Sequence, residues 1–123
     1  MPKRATKQRS AIEASFENAS RPLSPNEVLE LAKKTVPNLG IATVYRALND
    51  LVENGSLRVV ELPGQVSRYE KGDLGHHHHF HCTRCDKVFD LDGCLLRKDL
   101  NLPKGFEVEE HDITLTGRCS RCS

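Results

Sequence analysis

Side chains that bind transition metals are concentrated in two short stretches of this sequence. Residues 76–85 read His-His-His-His-Phe-His-Cys-Thr-Arg-Cys, and a second Cys-x-x-Cys pair follows after 33 intervening residues. Imidazole and thiolate are the groups that hold zinc and similar ions. Two such pairs can supply four thiolates to one tetrahedral ion. The spacing therefore predicts a closed, structural zinc site made by Cys82, Cys85, Cys119 and Cys122.

The histidines indicate further sites, with exchangeable metal. In a strand, alternate side chains share a face, so His77, His79 and His81 can point one way while their even-numbered neighbours point the other. Mixed nitrogen and oxygen ligands suit Zn, Fe(II), Mn or Co, bound more weakly than by four thiolates, as a sensor requires. One set of candidate ligands is Glu70, His77, His79 and Asp90, and the other is His76, His78 and His111.

Composition indicates a globular protein. The 123 residues are 37% hydrophobic and 28% charged, without the run of about 18 apolar residues that marks a transmembrane helix. No apolar stretch follows the basic N-terminus, so we expect no secretory signal, no membrane partner and a cytoplasmic location. There the five cysteines are metal ligands rather than disulfides. The fifth, Cys94, is interpreted as a buried small apolar residue or an auxiliary ligand.

The first half shows three helical patterns and then two short strands. Helices are predicted over about residues 7–18, after a Ser24-Pro25-Asn26-Glu27 capping signal, and over about residues 42–54 before Gly55. Strands are predicted at 57–62 and 66–70 around a Pro63-Gly64-Gln65 turn. This order predicts a winged helix-turn-helix domain over residues 1–70, whose third helix enters the DNA major groove.

Basic and polar side chains of this half suit nucleic acid. Residues 1–69 carry ten Lys and Arg against seven Asp and Glu, whereas residues 70–123 carry eight against ten. Basic residues near the N-terminus suit phosphates, and the start of the third helix suits base edges. The candidates are Lys3, Arg4, Lys7, Arg9, Thr43, Tyr45 and Arg46. The alternative is a helical bundle that binds a protein partner, since fold does not fix function.

After a hinge at residues 71–75, residues 76–123 predict a small second unit, so that the whole chain is of the α+β class. Strands are expected at about His78–Cys82, Val88–Leu91, Phe106–Glu110 and Ile113–Thr116, with a helical or irregular segment at 94–100. About fifty residues rarely bury enough apolar surface to be stable alone. This unit therefore needs a metal, a partner or both.

Catalysis is disfavoured by the motifs. An open position on a His and carboxylate site could activate water, but the sequence shows no nucleophile elbow, phosphate loop or His-Glu-x-x-His helix. A zinc-buffering protein that does not bind DNA would account for the metal ligands. It would leave the helix-turn-helix half unexplained.

Four segments, taken together and in order, closely resemble the ferric uptake regulator (Fur) family of bacterial metal-dependent repressors. They are residues 6–9, 41–48, 76–85 and 117–122, and the resemblance extends over nearly the whole chain. It implies an N-terminal winged-helix domain, a hinge and a C-terminal α/β dimerisation domain. It also implies a homodimer that represses transcription by binding a palindromic double-stranded DNA operator when its sensory metal is bound.

The resemblance further implies roles for the ligand sets. The four cysteines match a structural Zn²⁺ site. Glu70, His77 and His79 match a regulatory site for Zn²⁺ or Fe²⁺, with Mn²⁺ as a further candidate, and Asp90 matches a carboxylate that some members add. The set of His76, His78 and His111 matches a second site in the dimerisation domain. A peroxide-sensing regulator of the same family, which uses Fe(II), is the alternative function.

Two positions depart from the family pattern. Many members carry a regulatory histidine before the second helix, where this chain has Arg21-Pro22-Leu23, which argues against the peroxide sensor. The place of that ligand is taken by water, by His81 or by no group at all. The second site usually includes a glutamate at the position of Arg97, for which Asp99 or Glu110 are candidate substitutes.

Overall fold

The chain divides into two compact units. The structure, a computed structural model, describes residues 4–75, 77–92 and 101–123, and of residues 4 and 5 only the backbone. One unit is Met1–Leu74 and the other is Gly75–Ser123. None of the helices in these ranges has the length and apolar character of a bilayer-spanning segment.

The first unit is built on three helices, α1 (Arg4–Ala19), α2 (Pro25–Ala32) and α3 (Ile41–Glu53). Each helix buries one apolar stripe, because apolar residues three or four apart lie on the same helical face. The stripes meet in a core that includes the fully enclosed side chains of Ile12 and Leu48. The structure confirms the three predicted helices, although α1 begins earlier than residue 7.

A capping box starts α2, as the sequence predicts. The Ser24 hydroxyl accepts the backbone N–H of Glu27 at 3.2 Å, and the Glu27 carboxylate accepts the N–H of Ser24 at 3.1 Å. These two bonds satisfy amides that the helix itself leaves without partners. The start of α2 is therefore set locally, by four consecutive residues.

A two-stranded hairpin follows α3. Strands β1 (Leu57–Val60) and β2 (Arg68–Lys71) pair antiparallel. Both are shorter than predicted, because the chain already turns at Leu62, whose carbonyl accepts the N–H of Gln65 at 3.1 Å. Gly64, with a φ of 70°, supplies the left-handed residue of that turn.

The hairpin is joined to the helices by backbone pairing. Leu23 and Tyr69 exchange two backbone hydrogen bonds of 2.9 and 2.8 Å. The segment before α2 is thereby attached to β2. Three helices followed by this hairpin confirm the predicted winged helix-turn-helix and the α+β class.

A three-stranded sheet forms the second unit. Strand β3 (His78–Cys82) lies between β4 (Val88–Leu91), which is antiparallel to it, and β5 (Thr114–Gly117), which is parallel. Strands β3 and β4 have the predicted bounds. A side chain at Gly117 would begin 3.1 Å from the Phe80 ring, so a glycine lets these strands pair without displacing the ring.

The predicted strand Phe106–Glu110 is wrong. Its alternating apolar residues predict a half-buried strand, but residues 106–113 belong to no strand, and Phe106 and Val108 are 67% and 47% exposed. Both edges of β3 are already paired with β4 and β5. Alternation alone does not supply a pairing partner.

Several predicted features lie outside the described residues. They are Lys3, His76 and the segment 94–100, with Cys94, Arg97 and Asp99 in it.

Replacing Ser24 by alanine should destabilise the first unit. The substitution removes the hydroxyl that caps α2, and caps of this kind contribute about 1 kcal/mol. We expect a lower midpoint in urea unfolding followed by circular dichroism. The control is Ser10→Ala at an exposed position of α1, where alanine favours the helix. Equal stability of Ser24→Ala and the natural chain would contradict the capping role.

Candidate metal centres and DNA-binding surface

Four cysteine sulfurs converge in the second unit. The Sγ atoms of Cys82, Cys85, Cys119 and Cys122 all lie within 4.8 Å of one another. Cys85 and Cys119 are 3.9 Å apart at sulfur, and all four are free thiols. A Zn–S distance of about 2.3 Å implies sulfurs about 3.8 Å apart around a tetrahedral ion. The donor atoms and their spacing therefore fit zinc.

Parallel pairing of β3 and β5 explains why the two cysteine pairs meet. Cys82 lies opposite Gly117 in the strand register, so the two parallel strands end at the same end of the sheet. Just beyond, the Gly117 carbonyl accepts the Thr83 N–H at 2.8 Å and the Thr83 hydroxyl at 3.1 Å. The two Cys-x-x-Cys turns start from these adjacent strand ends.

Backbone N–H groups favour the thiolate form of Cys82. The pKa of the Cys82 thiol is lowered to about 6, first by the N–H of Cys85 and also by that of Cys119, while burial acts in the opposite direction. A hydrogen bond with the Cys119 thiol instead raises the pKa of Cys122 to about 12. Because metal ligands must be deprotonated, zinc binding would release a proton from Cys122.

A second cluster of ligands joins His77, His79 and Asp90. The Oδ1 atom of Asp90 lies 3.2 Å from Nε2 of His77 and 3.5 Å from Nε2 of His79. His79 lies opposite Asp90 in the pairing of β3 with β4, and His77 is two residues earlier, on the same face. All three side chains are largely shielded from solvent, with exposures of 8%, 7% and 23%.

The backbone orients the His77 ring. Its Nδ1 atom donates to the carbonyl of Gly75 at 2.7 Å, since a carbonyl can only accept. This bond leaves Nε2, the atom that faces Asp90, for metal coordination. Two histidines and a carboxylate form a donor set suited to Fe(II), Zn or Mn.

Glu70, the other predicted ligand of this set, belongs to the first unit. It lies on β2, is 2% exposed and has its Oε1 atom 3.6 Å from Nε of Arg58. Its role beside His77, His79 and Asp90 stays a prediction.

His78 and His111, predicted for the second site, are neighbours. Their ring centroids are 5.1 Å apart. The Nδ1 atom of fully buried His78 accepts the N–H of Ile113 at 3.1 Å, which leaves Nε2 to act as a ligand. Glu110, considered as a substitute carboxylate, is exposed. The occupancy of this site stays a prediction.

His81 has a different partner from its odd-numbered neighbours. Its Nε2 lies 2.6 Å from Oδ1 of Asp86. The pair flanks the first cysteine turn, since His81 precedes Cys82 and Asp86 follows Cys85. Asp86 adopts a left-handed φ of 65°, which aspartate tolerates better than most residues. His81 is therefore hydrogen-bonded to a residue of the first cysteine turn.

The segment in place of the family's regulatory histidine forms an ion pair. Arg21 lies 2.6 Å from Oε2 of Glu27, and it also donates to the carbonyl of Pro22 at 3.0 Å. Glu27 is the residue that closes the capping box of α2. These contacts give Arg21 a structural role at the start of α2.

Several predicted DNA-binding residues share one surface of the first unit. A groove of about 250 Å³ between α1 and α3 includes Arg9, Thr43 and Arg46 in its lining. The Arg46 guanidinium donates to the Thr43 hydroxyl at 3.1 Å, and Arg9 lies 3.5 Å from Glu13. Lys7 and Tyr45 are exposed, and the side chain of Arg4 is not described. Their contact with DNA stays a prediction.

Comparison with known proteins identifies the family. The profile of the ferric uptake regulator family matches residues 2–116. The chain belongs to this family. A ferric uptake regulation protein from Bacillus subtilis is 33% identical over 125 residues, which cover 96% of this chain and 84% of that protein. The Fur family comprises transcriptional regulators, so the predicted class, a metal-responsive transcriptional repressor, is confirmed.

Solved structures agree in fold. A ferric uptake regulator from Francisella tularensis, determined with iron, is 25% identical, with a TM-score of 0.68, and the match covers 94% of this chain and 90% of that one. A peroxide stress regulator from Campylobacter jejuni is 26% identical, with a TM-score of 0.62 and coverage of 96% and 90%. Both likenesses extend across the two units described above.

Sequence reasoning missed Arg58 and Asp86. Arg58 lies directly opposite Glu70 in the β1–β2 register, so an exact hairpin alignment could have identified it. Asp86 follows the second cysteine of the first turn, a position where a left-handed residue is expected to end the turn.

The His81–Asp86 pair should stabilise the second unit. Removing one partner of a charged hydrogen bond costs about 1 kcal/mol at a partly exposed site. We expect His81→Gln and Asp86→Asn each to lower the unfolding midpoint, and the double variant to lose no more than either alone. Asparagine also tolerates the left-handed backbone, so Asp86→Asn tests the charge. Additive losses in urea unfolding would contradict the pairing.

Proposed function

We propose that this chain is a homodimeric repressor that binds operator DNA in response to a divalent metal held by Glu70, His77, His79 and Asp90. The observation that carries the proposal is the convergence of His77, His79 and Asp90 in a chain of this family. Glu70 adds a shielded carboxylate that precedes the predicted hinge. Because such a regulator acts on the chromosome, we place it in the cytoplasm.

The proposed response is a shift between arrangements of the chain. Glu70 precedes residues 71–75, and the other three ligands follow them. Side chains that share one metal ion must come close together. Metal binding therefore favours those conformations of residues 71–75 that bring the four ligands together. Metal shifts the balance only through its differential affinity for those arrangements, which is about 1–3 kcal/mol in typical allostery.

We propose that Zn²⁺ at Cys82, Cys85, Cys119 and Cys122 is structural. The four protein ligands fill a tetrahedral shell, so no position remains open for exchange. The site ties the C-terminal turn to the edge of β3 and β5. For the regulatory ion, a related structure was determined with iron, and the two-histidine, two-carboxylate set accepts Fe²⁺, Zn²⁺ or Mn²⁺.

The homodimer is supported by apolar surface on the second unit. Phe106, Val108 and Leu115 are 67%, 47% and 44% exposed, and Leu115 lies on the edge strand β5. A sheet of three strands covers little of its own apolar surface. A second copy of the chain that covered these side chains would remove them from water.

The proposed DNA interface uses the start of α3 and the basic side of α1. Tyr45 and Arg46 are exposed near the N-terminal end of α3, the end that reads bases in helix-turn-helix proteins. Lys3, Arg4, Lys7 and Arg9 supply positive charge toward phosphates. A dimer would present two such surfaces to the half-sites of a palindrome.

Removing both histidines should abolish the metal response. We expect His77→Ala/His79→Ala to remain a folded dimer by circular dichroism and light scattering. DNA selected in vitro by the natural protein with Mn²⁺ should bind the variant no better with the metal than without it. Asp92→Asn, on the loop after β4, is the matched control and should keep the response. Full metal stimulation of the double variant would contradict the sensor site.

Removing one thiolate should instead damage the fold. Cys119→Ser breaks the four-sulfur shell, and zinc binding contributes about 10 kcal/mol or more in small zinc modules. We expect loss of tightly held zinc by mass spectrometry and loss of cooperative unfolding of the second unit. Ser120→Ala, in the same turn, should retain both properties. If the zinc-free Cys119→Ser chain unfolds with the same midpoint and cooperativity as the natural chain, the structural role of the zinc is contradicted.

A further inference from the structure

Arg58 and Glu70 form an ion pair across the β-hairpin. They are direct partners in the antiparallel register of β1 and β2. Nε of Arg58 lies 3.6 Å from Oε1 of Glu70, and the two side chains are 41% and 2% exposed. The hairpin therefore presents a guanidinium from the solvent side to a shielded carboxylate.

Arg58 brings a positive charge to this position. A guanidinium is a cation with five N–H donors and no acceptor, so it pairs with carboxylates and does not bind metal ions. Strand β2 also carries Lys71, whose Nζ lies 3.0 Å from a carboxylate oxygen of Glu17, and the buried Arg68, which donates to the Val66 carbonyl at 3.4 Å. Arg58 is the cation that lies directly opposite Glu70 in the hairpin register.

A cation beside a metal-binding carboxylate opposes the metal. It neutralises part of the negative charge that attracts the ion, and it repels the ion directly. Because Arg58 is 41% exposed, solvent screens this pair, and the pair adds little to stability. The larger effect of Arg58 is on the affinity of Glu70 for a second cation, such as a metal ion.

We propose that Arg58 competes with the regulatory metal for Glu70 and thereby sets the metal concentration to which the repressor responds. This inference rests on the proposed role of Glu70 as a metal ligand. Arg58 touches the ligand rather than the metal, so it is an affinity-setting residue. The metal would bind more weakly with Arg58 present than with a neutral side chain there.

The test is the affinity for Mn²⁺ of the full chain with its cysteine site loaded with zinc. Mn²⁺ prefers oxygen and nitrogen ligands to thiolates, so it reports on the sensor site. Competition with a fluorescent chelator gives the Kd. Because the pair is partly screened by solvent, we expect Arg58→Gln and Arg58→Met to bind Mn²⁺ about three- to tenfold more tightly.

Two controls separate this effect from general electrostatics. Arg58→Lys keeps the positive charge and should bind Mn²⁺ within about twofold of the natural chain, since lysine also pairs with carboxylates. Lys34→Gln removes a charge from another exposed position of the same unit and should leave the Kd for Mn²⁺ unchanged. Equal tightening by Lys34→Gln and Arg58→Gln would overturn the proposal.

Glu70 variants separate the proposed metal site from the proposed competition. Glu70→Gln should weaken Mn²⁺ binding, and adding Arg58→Gln to it should then have no further effect. If Glu70→Gln weakens binding while the Arg58 variants match the natural chain, the competition is wrong and the sensor site stands. If Glu70→Gln binds Mn²⁺ normally, both the ligand role of Glu70 and the competition are overturned.

Discussion

The pairing of β3 with strands on both of its edges is the constraint on which the second unit depends. This one strand carries His79 toward Asp90 on β4, and it ends at Cys82, opposite Gly117 on β5. Antiparallel pairing therefore assembles the histidine and aspartate cluster, and parallel pairing brings the cysteine turns together. Both donor sets are consequences of one register. A shift by a single residue would turn every side chain of β3 to the other face and disperse both sets.

Alternation along β3 gives the neighbouring histidines different chemistry. His77 and His79 face a carboxylate, His78 is enclosed beside His111, and His81 is held by Asp86. In two of these cases the backbone holds Nδ1 of the ring, through the Gly75 carbonyl for His77 and the Ile113 N–H for His78. A compact run of histidines thus serves separate purposes because a strand has two faces.

Features set by local chemistry could be predicted from the sequence. The Ser24 cap, the strands β3 and β4 and the meeting of the four cysteines follow from short motifs and regular periods. The failures depend on tertiary context. Phe106–Glu110 has the alternation of a strand without a pairing partner, and the partners of Arg58 and His81 depend on register and turn geometry that residue types do not encode.

The ion pairs show how a family fold can be adjusted without changing its donor sets. Arg21, beside the position of the absent regulatory histidine, is bound to Glu27 of the capping box, so this segment stabilises α2 instead of supplying a ligand. Arg58 lies against Glu70, one of the proposed ligands, on the hairpin of the winged-helix unit. In the proposed mechanism, the response to metal is therefore tuned from the hairpin of the winged-helix unit.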